Sequence, residues 1–489
     1  MAAKRKKVPM IAGVVIALIV IAAIAGFLLF DINSYKPRIE TAASEATSLD
    51  VRINGKMGLS FVPIGLSAND IHVANKGVEI LSLKKIKIGV EVIPLLKKQL
   101  KVTSCELSKP TITIMKDAEG KYNFENSEKK SKQEKLGTAF RLKKFRLSQG
   151  ALVYLDKKTG EKTELKGINL AIQDLLIGNT AEDIIKNVSF TGNMECKEVR
   201  KNDLKIDNIK SPIKAEKGVI RLIPLTMDIF NAKGEGNAMV EKSEVDMVYK
   251  INLKVSKLDF AKLERSFGVE KVIGGKGDLN VSLTMKENGS LSLMSGMNGI
   301  FSLRGDNLVI YTMDLDEVLS SYETSQQINL VDLGAFFIAG PLSTVGLKGY
   351  RYWDVYNQTQ GGQGVITQFI SHWKIKDGMA GAMDCALTTH HNRVALKGNL
   401  NFVSERYDNV TVALLDDKGC AKFKQSISGS LGSPEVGAVS MVQSLAEPIY
   451  NLYRKTKRLV QGDRCEVFYK GSVQQPGNPE TILDILNPL

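Results

Sequence analysis

GDLNVSLTM, residues 277–285, alternates without interruption. Leu279, Val281, Leu283 and Met285 fall on one face and Asn280, Ser282 and Thr284 on the other. A period of two is the mark of a strand with one apolar and one polar side. The same period recurs along most of the chain. Val51 and Ile53 alternate with Arg52 and Asn54, and Ile86, Ile88, Val90 and Val92 with Lys87, Gly89 and Glu91. Ile112 and Ile114, Leu170 and Ile172, and Met247, Tyr249, Ile251, Leu253 and Val255 repeat the pattern. So do Val394, Leu396, Leu400 and Phe402, and Val410, Val412 and Leu414. Turn-forming stretches such as residues 116–120 and 416–419 separate the runs at hairpin spacing, which predicts a mainly β, antiparallel protein. The central question is then what covers the apolar faces. Either they cover one another, as in a sandwich or closed barrel, or part of the face lines an open trough.

Helical signals are few. Ser34 is an N-cap candidate, Pro37 suits a first turn, and Ile39, Ala42, Ala43 and Ala46 follow helical spacing. Residues 258–267 and 315–322 read as short helices, and Pro94-Leu95-Leu96 as a turn between strands. Near the C-terminus, Val439, Val442, Leu445, Ile449 and Leu452 form an apolar stripe followed by Arg454, Lys455, Lys457 and Arg458. Pro448 should kink this helix. Such a basic amphipathic helix either lies on an anionic membrane or caps the end of a sheet. Residues 465–473 then read as a closing strand.

The N-terminus carries a different signal. Lys4-Arg5-Lys6-Lys7 precedes residues 10–30, a run without a charged or polar side chain that includes Ile11, Val14, Leu18, Ile21, Phe27 and Phe30. A helix of that length rises about 30 Å, the thickness of a bilayer core. The basic cluster stays on the cytoplasmic side, so the chain after Asp31 is expected outside the cytoplasm. Ala23-Ile24-Ala25 resembles a signal-peptide cleavage site, but the apolar run continues through Phe30, beyond an ordinary signal core, which favours a retained single-pass anchor.

The composition narrows the function. The 489 residues are 43% hydrophobic and 24% charged, which fits a folded chain, and Lys+Arg exceed Asp+Glu by 66 to 53, for a net charge of +13. That balance favours anionic partners. The excess is scattered lysine, without zinc-finger spacing or an aromatic-basic signature, so the reading is no nucleic acid. The five cysteines contain no C-x-x-C pair, which suits buried thiols with one disulfide rather than metal or redox chemistry. Gly274-Gly275-Lys276 is followed by glycine and lacks the upstream glycine of a nucleotide loop. Gly429-Ser430-Leu431-Gly432 has the wrong spacing for a nucleophile elbow. Of the four histidines, none sits in H-E-x-x-H, and His390-His391 are adjacent, so on a strand their rings face opposite sides. The expectation is a non-enzyme with no catalytic residues, cofactor or metal.

Residues 30–75, FDINSYKPRIETAASEATSLDVRINGKMGLSFVPIGLSANDIHVAN, resemble the N-terminal signature of the AsmA family of bacterial envelope proteins. There an apolar anchor runs into an Asp-x-x-x-Tyr-x-Pro-x-Ile helix, then a strand, a Gly turn and a second strand with Pro. Residues 85–125 continue the likeness through Val-x-Pro-Leu-Leu, Pro110 and DAEGKYN at 117–123. MDIFNAKGEG at 227–236 is similar to the family's mid-chain Gly-rich strand, and GSLGSP at 429–434 to its closing Gly-x-x-x-x-Pro. Thr47-Ser48-Leu49 departs from the usual Thr-Gly, which is expected to alter how the helix ends.

The resemblance implies an inner-membrane anchor with its bulk in the periplasm, built as an elongated, curled, groove-like sheet whose apolar floor takes phospholipid acyl chains. The implied role is in lipid transport and outer-membrane homeostasis. The alternative is a non-enzymatic scaffold or regulator of outer-membrane protein assembly, with outer-membrane or periplasmic protein partners. Candidate groove-lining residues are Ile251, Leu253, Val255, Leu279, Val281, Leu283, Met285, Val394 and Leu396, with Lys250 and Lys254 at a wet rim. Leu445, Ile449, Leu452, Arg454 and Lys455 form the candidate membrane-surface helix. The expected segments are a tip and anchor at 1–30, an N-terminal helix and β region at 31–126, a middle β region at 127–270, a second family-like β region at 271–434, and helix and closing strand at 435–489. About 12 to 15 strands spaced about 4.8 Å apart would span on the order of 60–70 Å. That is short of a bridge between two membranes and suits a shuttle or one segment of an assembly.

Overall fold

The computed structural model describes residues 32–96, 99, 101–125, 140–178, 184–266, 273–288, 292–311, 314–319, 337, 362–438, 440–441, 465 and 467–476. The expected anchor and most of the expected C-terminal amphipathic helix, including Leu445, Ile449, Leu452, Arg454 and Lys455, lie outside these residues. Among the described residues no helix is long and apolar enough to cross a membrane. The described chain holds 22 strands, more than the 12 to 15 expected. The chain divides into two units, one of residues 1–134, 141–162 and 166–175 and the other of the remainder.

Unit 1 opens with a 3-10 turn, Ile32–Tyr35, which runs into helix α1 (Lys36–Thr47). The N-cap position is Tyr35 rather than Ser34, and it makes no side-chain cap, while Pro37 does sit in the first turn. The strands are β1 (Asp50–Ile53), β2 (Met57–Phe61), β3 (Ile64–Asn75), β4 (Val78–Val90), β5 (Val102–Lys116), β6 (Phe140–Asp156) and most of β7 (Lys162–Ile177). Between β4 and β5 the Val-x-Pro-Leu-Leu motif forms a single helical turn, α2 (Val92–Leu96), where a plain turn was expected. β1 and β2 pair in line along β3, and β3–β4–β5 continue as an antiparallel meander. β5 and β6 pair in parallel, against the antiparallel expectation. Residues 117–139 separate them, and a parallel pair needs a crossover of about a dozen residues or more.

β1 and β2 form an edge whose outward N–H groups need acceptors. Side chains of the helical segment supply them. Val51 N donates to Ser44 Oγ at 3.0 Å, Ile53 N to Glu40 Oε1 at 2.6 Å and Met57 N to Asn33 Oδ1 at 2.9 Å. Beneath them Ile53, Met57, Ala68, Ile71 and Leu83 form a small buried core.

Unit 2 contains α3 (Ile184–Asn187), then β8 (Val188–Lys201), β9 (Leu204–Glu216), β10 (Val219–Ile229), β11 (Ala232–Lys242), β12 (Met247–Asp259), α4 (Phe260–Arg265), β13 (Ile273–Gly274), β14 (Lys276–Glu287), β15 (Met297–Ile310), β16 (Gly364–Lys376), β17 (Met379–Thr388), β18 (Arg393–Asn401), β19 (Arg406–Leu415), β20 (Ala421–Ser430), β21 (Ser433–Val436) and β22 (Ser440–Met441). β8 to β12 and β14 to β20 form one antiparallel meander, each strand paired with the next. Gly236, in the stretch MDIFNAKGEG, is required by close approach: a Cβ there would stand 1.9 Å from the carbonyl oxygen of Asn252 on β12.

The main core lies under β14–β20 and reaches one end of β10 and β12. Trp373, Phe301, Phe402, Leu308 and Ile310 are fully buried in it, and Leu315 and Leu319 of a helical turn at 315–319 fill its middle together with Phe337. Phe337 stacks on Phe369 at 5.7 Å, and its carbonyl accepts a 2.7 Å hydrogen bond from Ser371 Oγ, which itself accepts from Trp373 Nε1 at 2.8 Å. Part of the opposite face, along one end of β16–β19, is buried too. Ala386, Ala395 and Ala413 lie side by side and leave room for Tyr469 and Val473 of the C-terminal segment. That segment is fastened by the Cys420–Cys465 disulfide, by Arg393 Nη1 on Val473 O at 3.2 Å and by Tyr469 Oη on Asp384. It is a strap rather than the expected closing strand, because the register of pairing ends at a single bridge between Val467 and Cys420.

Two outcomes test this picture. Ser48, where the family has glycine, ends α1 in the left-handed region at φ 56° and ψ 27°. That conformation carries a backbone cost that glycine avoids. Ser48→Gly should raise stability by about 0.5–1 kcal/mol in denaturant unfolding. His72 on β3 bonds to Glu79 and, at 3.1 Å, to Asp70. The Glu79 bond first, then the Asp70 bond, raise its pKa above the ordinary 6.5. A raised folded-state pKa gives stability that is complete below the unfolded value and lost as pH rises through the folded value. His72→Gln should therefore reduce the thermal stability of the protein below about pH 6 and converge with the parent under alkaline conditions. An NMR titration of the imidazole should place its midpoint above 6.5.

Candidate functional site

Strand register gathers the apolar side chains into rows. In unit 1, Ile88 stands beside Cys105 and Phe145, Ile86 beside Leu107 and Leu147, and Leu81 beside Ile112 and Leu152. All nine are only half-buried. Leu81, Ile86 and Leu107 pack against the small core of Ile53, Met57, Ala68, Ile71 and Leu83, and the other six join no buried cluster among the described residues. The adjacent positions Lys87, Glu106 and Arg146 align in the same way on the other face. Burial, and then the charge of Glu106, push the Cys105 thiol above its ordinary range, as expected for a group set in an apolar row.

In unit 2 the cover changes along the strands. Ile220, Val240, Tyr249 and Met285 form one row across β10, β11, β12 and β14, and Leu222, Ala238, Ile251 and Leu283 the next. The first row is half-buried throughout. Burial, then Glu287, raise the pKa of Tyr249. Toward the other end of the same strands, Val255 pairs with Leu279 and Leu279 with Leu303, and burial becomes nearly complete.

This gradient sorts the nine expected lining residues. Ile251, Leu253 and Met285 are half-buried and pack against the border of the main core. Val255, Leu279, Val281, Leu283, Val394 and Leu396 are 0–9% exposed and lie within the protein's own core. β15, β16 and the filling side chains around Phe337 and Leu315 supply neighbours that alternation alone does not reveal. Lys250 and Lys254 do not edge the apolar face. Alternation puts them on the opposite side of β12, where Lys250 approaches Glu241 of the neighbouring β11 at 4.0 Å. β4 and β5 were legible as strands from Ile86 to Val92 and from Ile112 and Ile114, but β6 was not. The signal for it lies in Phe145, Leu147, Leu152 and Tyr154, which continue the rows of β5.

His390 and His391 are exposed in the tight turn between β17 and β18. Asp416 approaches Cys420 and Cys465, but both sulfurs are committed to their disulfide. Cys196 and Cys385 are buried thiols outside any disulfide, and burial pushes the Cys385 thiol far up.

Long strands held in register, with one apolar face left partly uncovered, define a β protein built around an extended apolar surface. The chain belongs to the AsmA family, whose family model matches residues 1–195 and again 181–378. No curated protein and no solved structure matches it.

If the buried and half-buried positions differ as described, truncation separates them. Leu283→Ala should cost about 2–4 kcal/mol and Ile251→Ala about half as much, measured as shifts in denaturant unfolding.

Proposed function

We propose that this chain is an inner-membrane-anchored, periplasmic protein that binds phospholipid acyl chains on its half-buried apolar rows and takes part in lipid transport and outer-membrane homeostasis. It acts by binding rather than catalysis. The observation that carries the reading is the set of in-register apolar rows across β4, β5 and β6, which stay half-buried and of which only Leu81, Ile86 and Leu107 pack on a core of the chain's own. Family membership supports it, as does the apolar run at 10–30 behind a basic tip. The Cys420–Cys465 disulfide suits an oxidising compartment.

The energetics favour exchange with a membrane. Taking one methylene out of water is worth about 0.8 kcal/mol, so a chain of about sixteen methylenes cannot desorb alone without a cost near 13 kcal/mol. An apolar row that meets the chain as it leaves the bilayer removes most of that cost. It need not bind more tightly than the bilayer does. Tight binding would oppose release.

Extraction of the purified protein with organic solvent, followed by mass spectrometry, should yield phospholipid. Ile112→Asp combined with Leu152→Asp, which places charge in the open rows of unit 1, should lower the yield at least about fivefold, an effect of about 1 kcal/mol. Circular dichroism should remain that of the parent. A lipid-free parent, or full lipid retention by the charged variant, refutes the reading and leaves the family's scaffold role as the alternative.

A further inference from the structure

Unit 1 carries a second apolar surface, separate from the rows. Phe61, Val62 and Ile64 at the β2–β3 tip are 62%, 83% and 54% exposed, and Val92 and Ile93 of α2 are 43% and 72% exposed. These are large side chains gathered at one place. Exposed hydrophobics elsewhere, such as Val245, Met383 and Val403, are isolated in the sequence, as is ordinary.

The two turns are neighbours. Gly65 pairs with Gly89, Pro63 packs so closely on Gly89 that a Cβ there would lie 2.8 Å from it, and Lys87 Nζ donates to Val62 O at 3.3 Å. A basic collar stands beside them. Lys101 and Lys143 share the carboxylate of Glu91 at 2.9 and 3.1 Å, and exposed Arg141 and Lys144 lie along the start of β6.

The direction of α1 decides what the tip faces. Ser44 meets Val51, Glu40 meets Ile53 and Asn33 meets Met57, so the helix runs antiparallel to β1–β2. Its beginning is therefore at the Phe61 end of that line. The apolar run at 10–30 enters the described chain there, two residues before Ile32. An apolar tip, a basic collar and the entry of the apolar run share one end of unit 1.

We infer that the surface formed by Phe61, Val62, Ile64, Val92 and Ile93 inserts into the interface of an anionic phospholipid bilayer, with the basic collar on the headgroups. The inference rests on the anchored, lipid-handling reading above. Apolar side chains ringed by Lys and Arg suit the boundary between headgroups and acyl chains. Its consequence is that the open rows of β4–β6 begin beside the membrane surface.

The test uses the full chain reconstituted into vesicles of phosphatidylethanolamine and phosphatidylglycerol. A nitrobenzoxadiazole probe is placed at Val62→Cys in a Cys105→Ser background, with Thr159→Cys, in the β6–β7 turn at the far end of β6, as the reference position. The probe at 62 should show blue-shifted emission and be quenched by doxyl-labelled lipid, and the probe at 159 should show neither. Water-like emission at both positions overturns the inference. A blue shift at 62 without doxyl quenching also overturns it, and assigns the tip to a protein contact such as a second copy. Solvent extraction of the unsubstituted chain, purified without added lipid before any reconstitution, separates the two claims. Bound lipid with a water-exposed tip sinks this inference alone, and a quenched tip without bound lipid sinks only the reading of the rows.

Discussion

Register is the constraint on which this molecule depends. Side chains alternate along each strand, and pairing without net slippage keeps every apolar residue on one face of its neighbours. A one-residue slip between β4 and β5 would put Glu106 beside Ile88 and break the row. The pairing also leaves a problem that strands cannot solve for themselves. Backbone hydrogen bonds satisfy each strand laterally, but the apolar face still needs something above it.

The chain answers this differently in different places. Under β14–β20 the face is filled by its own parts, with Phe337, Leu315 and Leu319 as infill and α4 at one side. At one end of β16–β19 the sheet is buried on both sides, because the disulfide-fastened strap covers the alanine row opposite. Across β4–β6 and the near ends of β10–β12, cover is thin and the same kind of side chain is half-buried. Stability is thus concentrated in one portion, and the sparsely covered rows lean on neighbouring strands. That division suits a protein whose apolar surface meets a guest, since a row packed by its own chain has no room for one.

Much of the fold was legible in the sequence, because a period of two is strong in β4, β12, β14, β18 and β19. The middle was harder to read. β6 to β9 mix polar and apolar residues on both faces, and their pairing comes from long-range contacts rather than from local preference. The parallel β5–β6 step was invisible because direction is a property of the connection, not of either strand. The candidate site was read only in part. Alternation identified the apolar side of β12 and β14 but could not tell a face that meets Phe337 from one that meets solvent, so six of nine residues proved to be core. The tip at Phe61–Ile64 was passed over because exposure of a turn cannot be inferred from hydrophobicity, which ordinarily argues for burial.

The way α1 closes the β1–β2 edge limits how copies of this protein can join. Ser44, Glu40 and Asn33 already occupy the outward amides of that border. A foreign strand seeking to extend the sheet there would first have to evict three ordered acceptors. Lateral polymerisation through backbone pairing is thereby blocked on this margin. A protein with so many long ribbons needs such a stop, since an unguarded margin beside greasy rows would invite fibres.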